Sequence, residues 1–193
     1  MAKPKKYNDA DLPAILLREV VLRILERKGQ FKAKTSPFTQ RQIVEFKKRM
    51  RVSSFDKFDN TTYISYINFY TQGDNFERDE PLGTLVIYVE EDFLVSLMDR
   101  MDYPIDNEDD PDEMEDACGT LCNLIAGNFK SGLAKLGYAE IEMSHFFSFC
   151  NEVLNGVEYN TDLKEKHEIP FIINKSIRLV VDLAIAPVPR YTH

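Results

Sequence analysis

Three polar side chains in one stretch have types and spacings that can share chemistry: Asp116, Thr120 and Asn123 in "DACGTLCNLIAGNFKSGL". On a helix turning about 100° per residue, Thr120, Asn123, Gly127 and Ala134 fall within about 40° of Asp116. The Asn123 amide can both donate to and accept from a water molecule. The Thr120 hydroxyl can donate one neutral hydrogen bond, and Asp116 can pair with a cation. Gly127 costs about 1 kcal/mol of helix stability relative to alanine. A solvent face would more naturally carry Lys and Glu; small residues let another backbone or a bulky ligand come close. Packing of a second helix of the same domain is the alternative use for such a face.

The elements that must position these residues can be read from the pattern. Leu121, Ile125, Cys118, Leu136, Phe129 and Cys122 occupy the opposite side of the helix and form its core face. Upstream, "DNEDDPDEMED" holds eight acids in eleven residues. It lacks the glycine and the ligand spacing of a calcium loop. It reads instead as a helix start with Asp110 as N-cap, Pro111 in the first turn and Asp112 and Glu113 favoured by the dipole. The helix should then run to Gly137.

Residues 11–28 form a helix with Pro13 in its first turn and apolar positions 16, 17, 20, 21, 24 and 25, stopped at Gly29. Residues 39–50, "TQRQIVEFKKRM", predict a second, basic helix: Thr39 with Gln42 matches a capping box, and Ile43, Phe46 and Met50 recur at helical spacing. "NTTYISYINFYTQ" then alternates as a strand, with Tyr63, Ser65, Ile67 and Phe69 on one side. "GDNFERDEPLG" is a polar loop, "GTLVIYV" a strand and 90–101 a helix. After Gly137 come strands: "EIEMSHFFSF", "NGVEYN", "EIPFIINK" and "SIRLVVDLAIAP". Asn155-Gly156 and Asn174-Lys175-Ser176 are turn signals. Hairpin-linked strands flanked by helices make an α+β fold with an antiparallel sheet. Residues 1–51 form a basic, helical amino-terminal segment and 52–193 the α+β body, together one domain. The last strand is too apolar to be left exposed.

Composition narrows the function. With 193 residues, 44% hydrophobic and 29% charged, the chain suits a globular domain. No apolar run approaches the ~18 residues of a membrane span, and the start resembles no secretory signal, so a cytoplasmic protein is expected. Three cysteines, Cys118, Cys122 and Cys150, and the scattered His145, His167 and His193 offer no metal set; no metal or cofactor is expected. Residues 1–51 hold 14 Lys/Arg against 5 Asp/Glu, and the rest 10 against 27. That asymmetry suits either internal pairing or a basic arm for an acidic partner or nucleic acid. There is no Gly-rich phosphate loop, nucleophile elbow or dinucleotide fingerprint.

The segment "DACGTLCNLIAGNFKSGLAKLG" resembles the signature helix of the chemotaxis phosphatases of the CheC/CheX/FliY group, most closely the CheX type. In that family the helix carries an acid or serine, three residues, a glutamate, two residues and an asparagine, often followed by "xIAGxxKSxL". Asp116 and Asn123 match, and "NLIAGNFKSGL" continues without a gap. The resemblance extends over residues 11–187 in element order and is specific over about 82–137; residues 30–51 read as an insertion. Two positions depart: the family glutamate is Thr120, and the family proline 22 positions after the asparagine is His145.

The resemblance implies hydrolysis of an aspartyl phosphate on a response-regulator receiver domain such as CheY. The asparagine would orient the attacking water and the glutamate would pair with a lysine of the regulator. By this reading Asn123, Asp116 and Thr120 are the catalytic positions, and Gly127 and Lys130 belong to the partner-binding face. The expectation is a CheX-like signalling domain with impaired chemistry that still binds a receiver domain. A divergent phosphatase using Asn123 with Asp116 or Thr120 is the second reading. A non-enzymatic dimeric scaffold with a basic amino-terminal interaction segment is the third. The family also implies a homodimer with sheets joined edge to edge; nucleic acid is not the expected partner.

Overall fold

The computed structural model describes residues 8–71 and 80–189. Most of the expected "GDNFERDEPLG" loop lies outside them. The chain opens with α1 (Leu12–Arg27), Pro13 in its first turn, whose buried positions include Leu17, Val21, Ile24 and Leu25. Short strands β1 (Ala33–Thr35), β2 (Thr39–Gln42), β3 (Glu45–Phe46) and β4 (Arg49–Ser53) follow. Then come β5 (Thr62–Thr71), β6 (Gly83–Glu90), α2 (Glu91–Arg100) and α3 (Pro111–Leu133). The chain closes with β7 (Ile141–Met143), β8 (Phe147–Cys150), β9 (Val153–Val157), β10 (Glu165–Ile173) and β11 (Ser176–Ile185).

The strands form two sheets, every pairing antiparallel. The main sheet runs β1-β10-β11-β6-β5-β7, with β2 also on β10 and β8 also on β5; the small sheet is β3-β4-β9. The α+β architecture is therefore the expected one. The expected alternation of β5 also holds: Tyr63, Ile67 and Phe69 join the helix-side core, while Ile64 joins the core on the far face. In β6, Leu85, Ile87 and Val89 face the helices and Val86 and Tyr88 face away. A sheet buried on both faces explains why "GTLVIYV" is apolar throughout. The same holds for β11. Leu179, Val181 and Leu183 lie under the helices, and Val180 packs with Met50, Val52 and Val157 of the small sheet.

The expected helix over 39–50 is absent. That stretch forms β2, β3 and the start of β4. Gln42 to Thr39 pair with Glu165 to Glu168 of β10, and Met50 of β4 meets Val157 of β9. Lys47 and Lys48 both have positive φ, 49° and 60°, as a two-residue hairpin turn requires. Met50 is buried and Ile43 packs beside it, but Phe46 is 56% exposed. Three apolar residues at helical spacing thus serve a hairpin, because long-range strand partners outweigh local propensity. The turn at Asn155-Gly156 is also corrected, since both residues lie within β9. The positive φ lies earlier, at Asn151 with φ 48°, where the chain bends between β8 and β9. The Asn151 Oδ1 there accepts the Thr62 N–H at 2.9 Å. The turn at Asn174 and Lys175 stands where expected, with φ 51° and 71°.

Candidate functional site

The expected cap starts α3. Asp110 Oδ1 accepts the Asp112 N–H at 3.0 Å, and Glu113 Oε2 accepts the Asn107 N–H at 2.9 Å. These bonds satisfy donors at the helix entrance and give Asp110 and Glu113 of the acidic run a structural role. α3 gives way after Leu133 to a single 3-10 turn that ends at Gly137, with φ 96°. Its core face is fully buried at Cys118, Cys122, Ile125 and Phe129, and Leu121 is 1% exposed. Phe129 meets Phe69 of β5 edge to face at 5.7 Å. Leu136 is only partly buried, beyond the last α-helical turn. Burial pushes the Cys122 thiol up to about 12, and burial, then its thiol and Glu115 neighbours, also hold the Cys118 thiol well above its ordinary value. Both therefore stay protonated at neutral pH and serve as small core groups.

The opposite side of α3 is open along part of its length. Asp116 and Asn123 are exposed, and Thr120, Gly127 and Lys130 are half-buried. Among the described residues, none of Asp116, Thr120 and Asn123 spends its side chain on a hydrogen bond or ion pair. A Cβ added to Gly127 would meet no described atom within 4 Å. Helix packing within the domain therefore does not account for Gly127. Packing does account for Gly119, where a Cβ would lie 2.1 Å from the Phe146 ring, and for Gly132, where it would lie 2.8 Å from Leu16 of α1. Phe146 is followed closely by β8, so the segment carrying His145 lies against α3. His145 itself is exposed, and its backbone carbonyl accepts from the Ser144 hydroxyl at 2.7 Å.

Asp116 and Thr120 also line a cleft of about 460 Å³, closed on the other side by Met98 and by Tyr103–Asp106 after α2. No periodicity in the sequence points to those residues; Asp102 with φ 63° ends the preceding turn and Pro104 prevents continuation. Asp106, Asp112 and Glu113 stand around the same cleft. Burial, then the Asp112 and Glu152 charges, hold the Glu115 carboxyl above the usual range. The amino-terminal half of the face is thus strongly negative and unfavourable for an approaching phosphate. Asn123 lies further along, toward Lys130. At about 1.5 Å of rise per residue, Thr120 stands about 4.5 Å before Asn123 and Asp116 about 10 Å before it. Asp116 thus lies about 6 Å, one helical turn, before position 120. Among the described residues no group of three or more His, Cys, Asp or Glu is placed to hold a metal ion, and no helix is long and apolar enough to cross a membrane.

An antiparallel sheet backed by helices, with an amide-bearing open face on the longest of them, defines a class that comparison with known proteins identifies. Residues 78–172 match the family described as chemotaxis phosphatase CheX. That region holds β6, α2 and the whole of α3, and extends the specific resemblance through β10. Solved structures agree in fold. CheX from Vibrio vulnificus superposes with a TM-score of 0.61 at 13% identity, covering 90% of this chain and 98% of that one. CheX from Desulfovibrio desulfuricans gives 0.60 at 12% identity, covering 91% and 99%. The CheX of a CheX–CheY–BeF3–Mg complex from Borrelia burgdorferi gives 0.55 at 13% identity, covering 89% and 96%. Comparison with curated protein sequences gives no match. Residues 78–172 thus carry the match to the CheX family, and the fold around them is that of the CheC/CheX/FliY proteins.

Proposed function

We propose that this domain binds a phosphorylated response-regulator receiver domain through the open face of α3, and that its phosphatase chemistry is weakened by Thr120. The carrying observation is the Asn123 amide, exposed and without a partner among the described residues, on the same face as a glycine whose Cβ position opens onto empty space. The Borrelia relative in complex with CheY supports the partner class. Hydrolysis of an aspartyl phosphate depends on placing water in line with the leaving oxygen, and an amide can do that without covalent participation. Thr120 offers the partner a neutral hydrogen bond where a glutamate would offer an ion pair, and charge-assisted bonds are roughly twice as strong. Receiver binding survives that exchange better than turnover, which needs the geometry fixed at the transition state.

The test is the lifetime of acetyl-phosphate-labelled receiver domains from the same organism. Wild-type protein should bind them saturably and shorten the lifetime weakly. Asn123→Ala should abolish the shortening. Thr120→Glu should strengthen it about tenfold, the equivalent of about 1.4 kcal/mol of transition-state stabilisation. Absence of both binding and shortening would refute the receiver partner.

A further inference from the structure

We propose that the cavity between the small sheet and the outer face of the main sheet binds a small organic anion, an oxyanion head on an apolar body. The cavity measures about 430 Å³ and brings together Arg41 of β2, Arg51 of β4, Lys57 after β4 and Lys166 of β10. Two of these four cations, Arg41 and Arg51, come from the segment that departs from the compact family pattern.

Two carboxylates hold three of the four. Asp182 of β11, 1% exposed, accepts from Lys166 Nζ at 2.7 Å, from Lys57 Nζ at 3.3 Å and from the Tyr88 hydroxyl at 3.1 Å. Glu168 pairs with Lys57 and lies 3.5 Å from Arg41 Nε. Lys57 also lies 5.0 Å from the centre of the Tyr88 ring. The lysines are thus fixed in place before any ligand arrives. Arg51 differs. Its backbone N–H bonds to the Val44 carbonyl at 2.8 Å, yet its guanidinium pairs with no described carboxylate. Asp56, exposed at the cavity wall, is a third acid against the four cations. A positive surplus remains in a chain whose net charge is -8.

That surplus fits an oxyanion. A guanidinium fork matches carboxylate and phosphate oxygens, and two held ammonium groups add donors nearby. The rest of the lining fits an apolar body: Val44 and Ile177, 55% and 42% exposed, border the same cavity. Convergent polar groups beside apolar walls are the usual make-up of small-molecule sites. Arg51 is exposed and pairs with no described carboxylate, so its guanidinium can reach a ligand entering from solvent. The main sheet separates this cavity from α3, so the inference stands independently of the receiver-binding reading.

Calorimetric titration with phenyl phosphate and with 3-phenylpropionate tests it, and comparing the two identifies the head group. At least one should bind saturably, more tightly than inorganic phosphate, and weaken as salt rises. Arg51→Gln should cut the affinity tenfold or more with an unchanged melting temperature, because Arg51 pairs with no carboxylate among the described residues. Lys48→Gln, at the hairpin tip outside the cavity, should leave affinity intact. No saturable binding of either compound would overturn the proposal. So would equal losses in the two variants, which would mark diffuse attraction to a basic surface.

Discussion

Gly119 and Gly127 lie eight positions apart on α3 and meet different surroundings. At Gly119 the Phe146 ring occupies the space a side chain would need; at Gly127 the described chain leaves that space empty. The first is small because of what the domain packs against its helix. The second weakens the helix with no packing return among the described residues, and on the proposed reading the space is left for a receiver domain. The difference separates two causes of the same residue type along one element. The Asn123 amide, free and exposed, lies on the Gly127 side of that division.

The comparison can be tested first at its buried extreme. Phe129, fully buried against Phe69, should cost 3–5 kcal/mol on replacement by alanine, read from the shift of a urea unfolding midpoint. Gly119→Ala should cost about 1–3 kcal/mol by the same measurement, because the Phe146 ring must move. Gly127→Ala should instead stabilise, by up to about 1 kcal/mol, while weakening receiver binding. Loss of stability at Gly127 would break the contrast and imply a covering contact. The smallest effect belongs to Glu115. Its carboxyl is raised in the folded state, so folding favours the protonated form, and this contribution is full only below the unfolded carboxylate range. It fades as pH rises through the folded value. Glu115→Gln should therefore raise the melting temperature at neutral pH and have no such effect at strongly acidic pH.

Much of this was legible in the sequence, for identifiable reasons. α3 announced itself through Asp110, Pro111 and Gly137, signals that are local and chemical. β5 and the β10–β11 turn were legible through strict alternation and through Asn174-Lys175. The stretch 39–50 was not, because its structure depends on β9 and β10, more than a hundred residues away in the chain. Its helical spacing was genuine but subordinate to those partners. The α3 site divides the same way. Asp116, Thr120 and Asn123 share a face by periodicity alone, whereas the Tyr103–Asp106 wall beside them and the Phe146 ring on Gly119 are placed by tertiary contacts that periodicity does not encode.

The pairing of Ala33 with Ile173 and of Met50 with Val157 has a temporal side. During synthesis the amino-terminal strands leave the ribosome long before the segments that will hydrogen-bond to them exist. Loop closures of this span slow folding, and unpaired strand edges invite aggregation meanwhile. The exposed lysines at the β3–β4 hairpin tip, Lys47 and Lys48, add like-charge repulsion that discourages such pairing. The nascent amino terminus thus carries some of its own protection against sticking while it waits for β9 and β10.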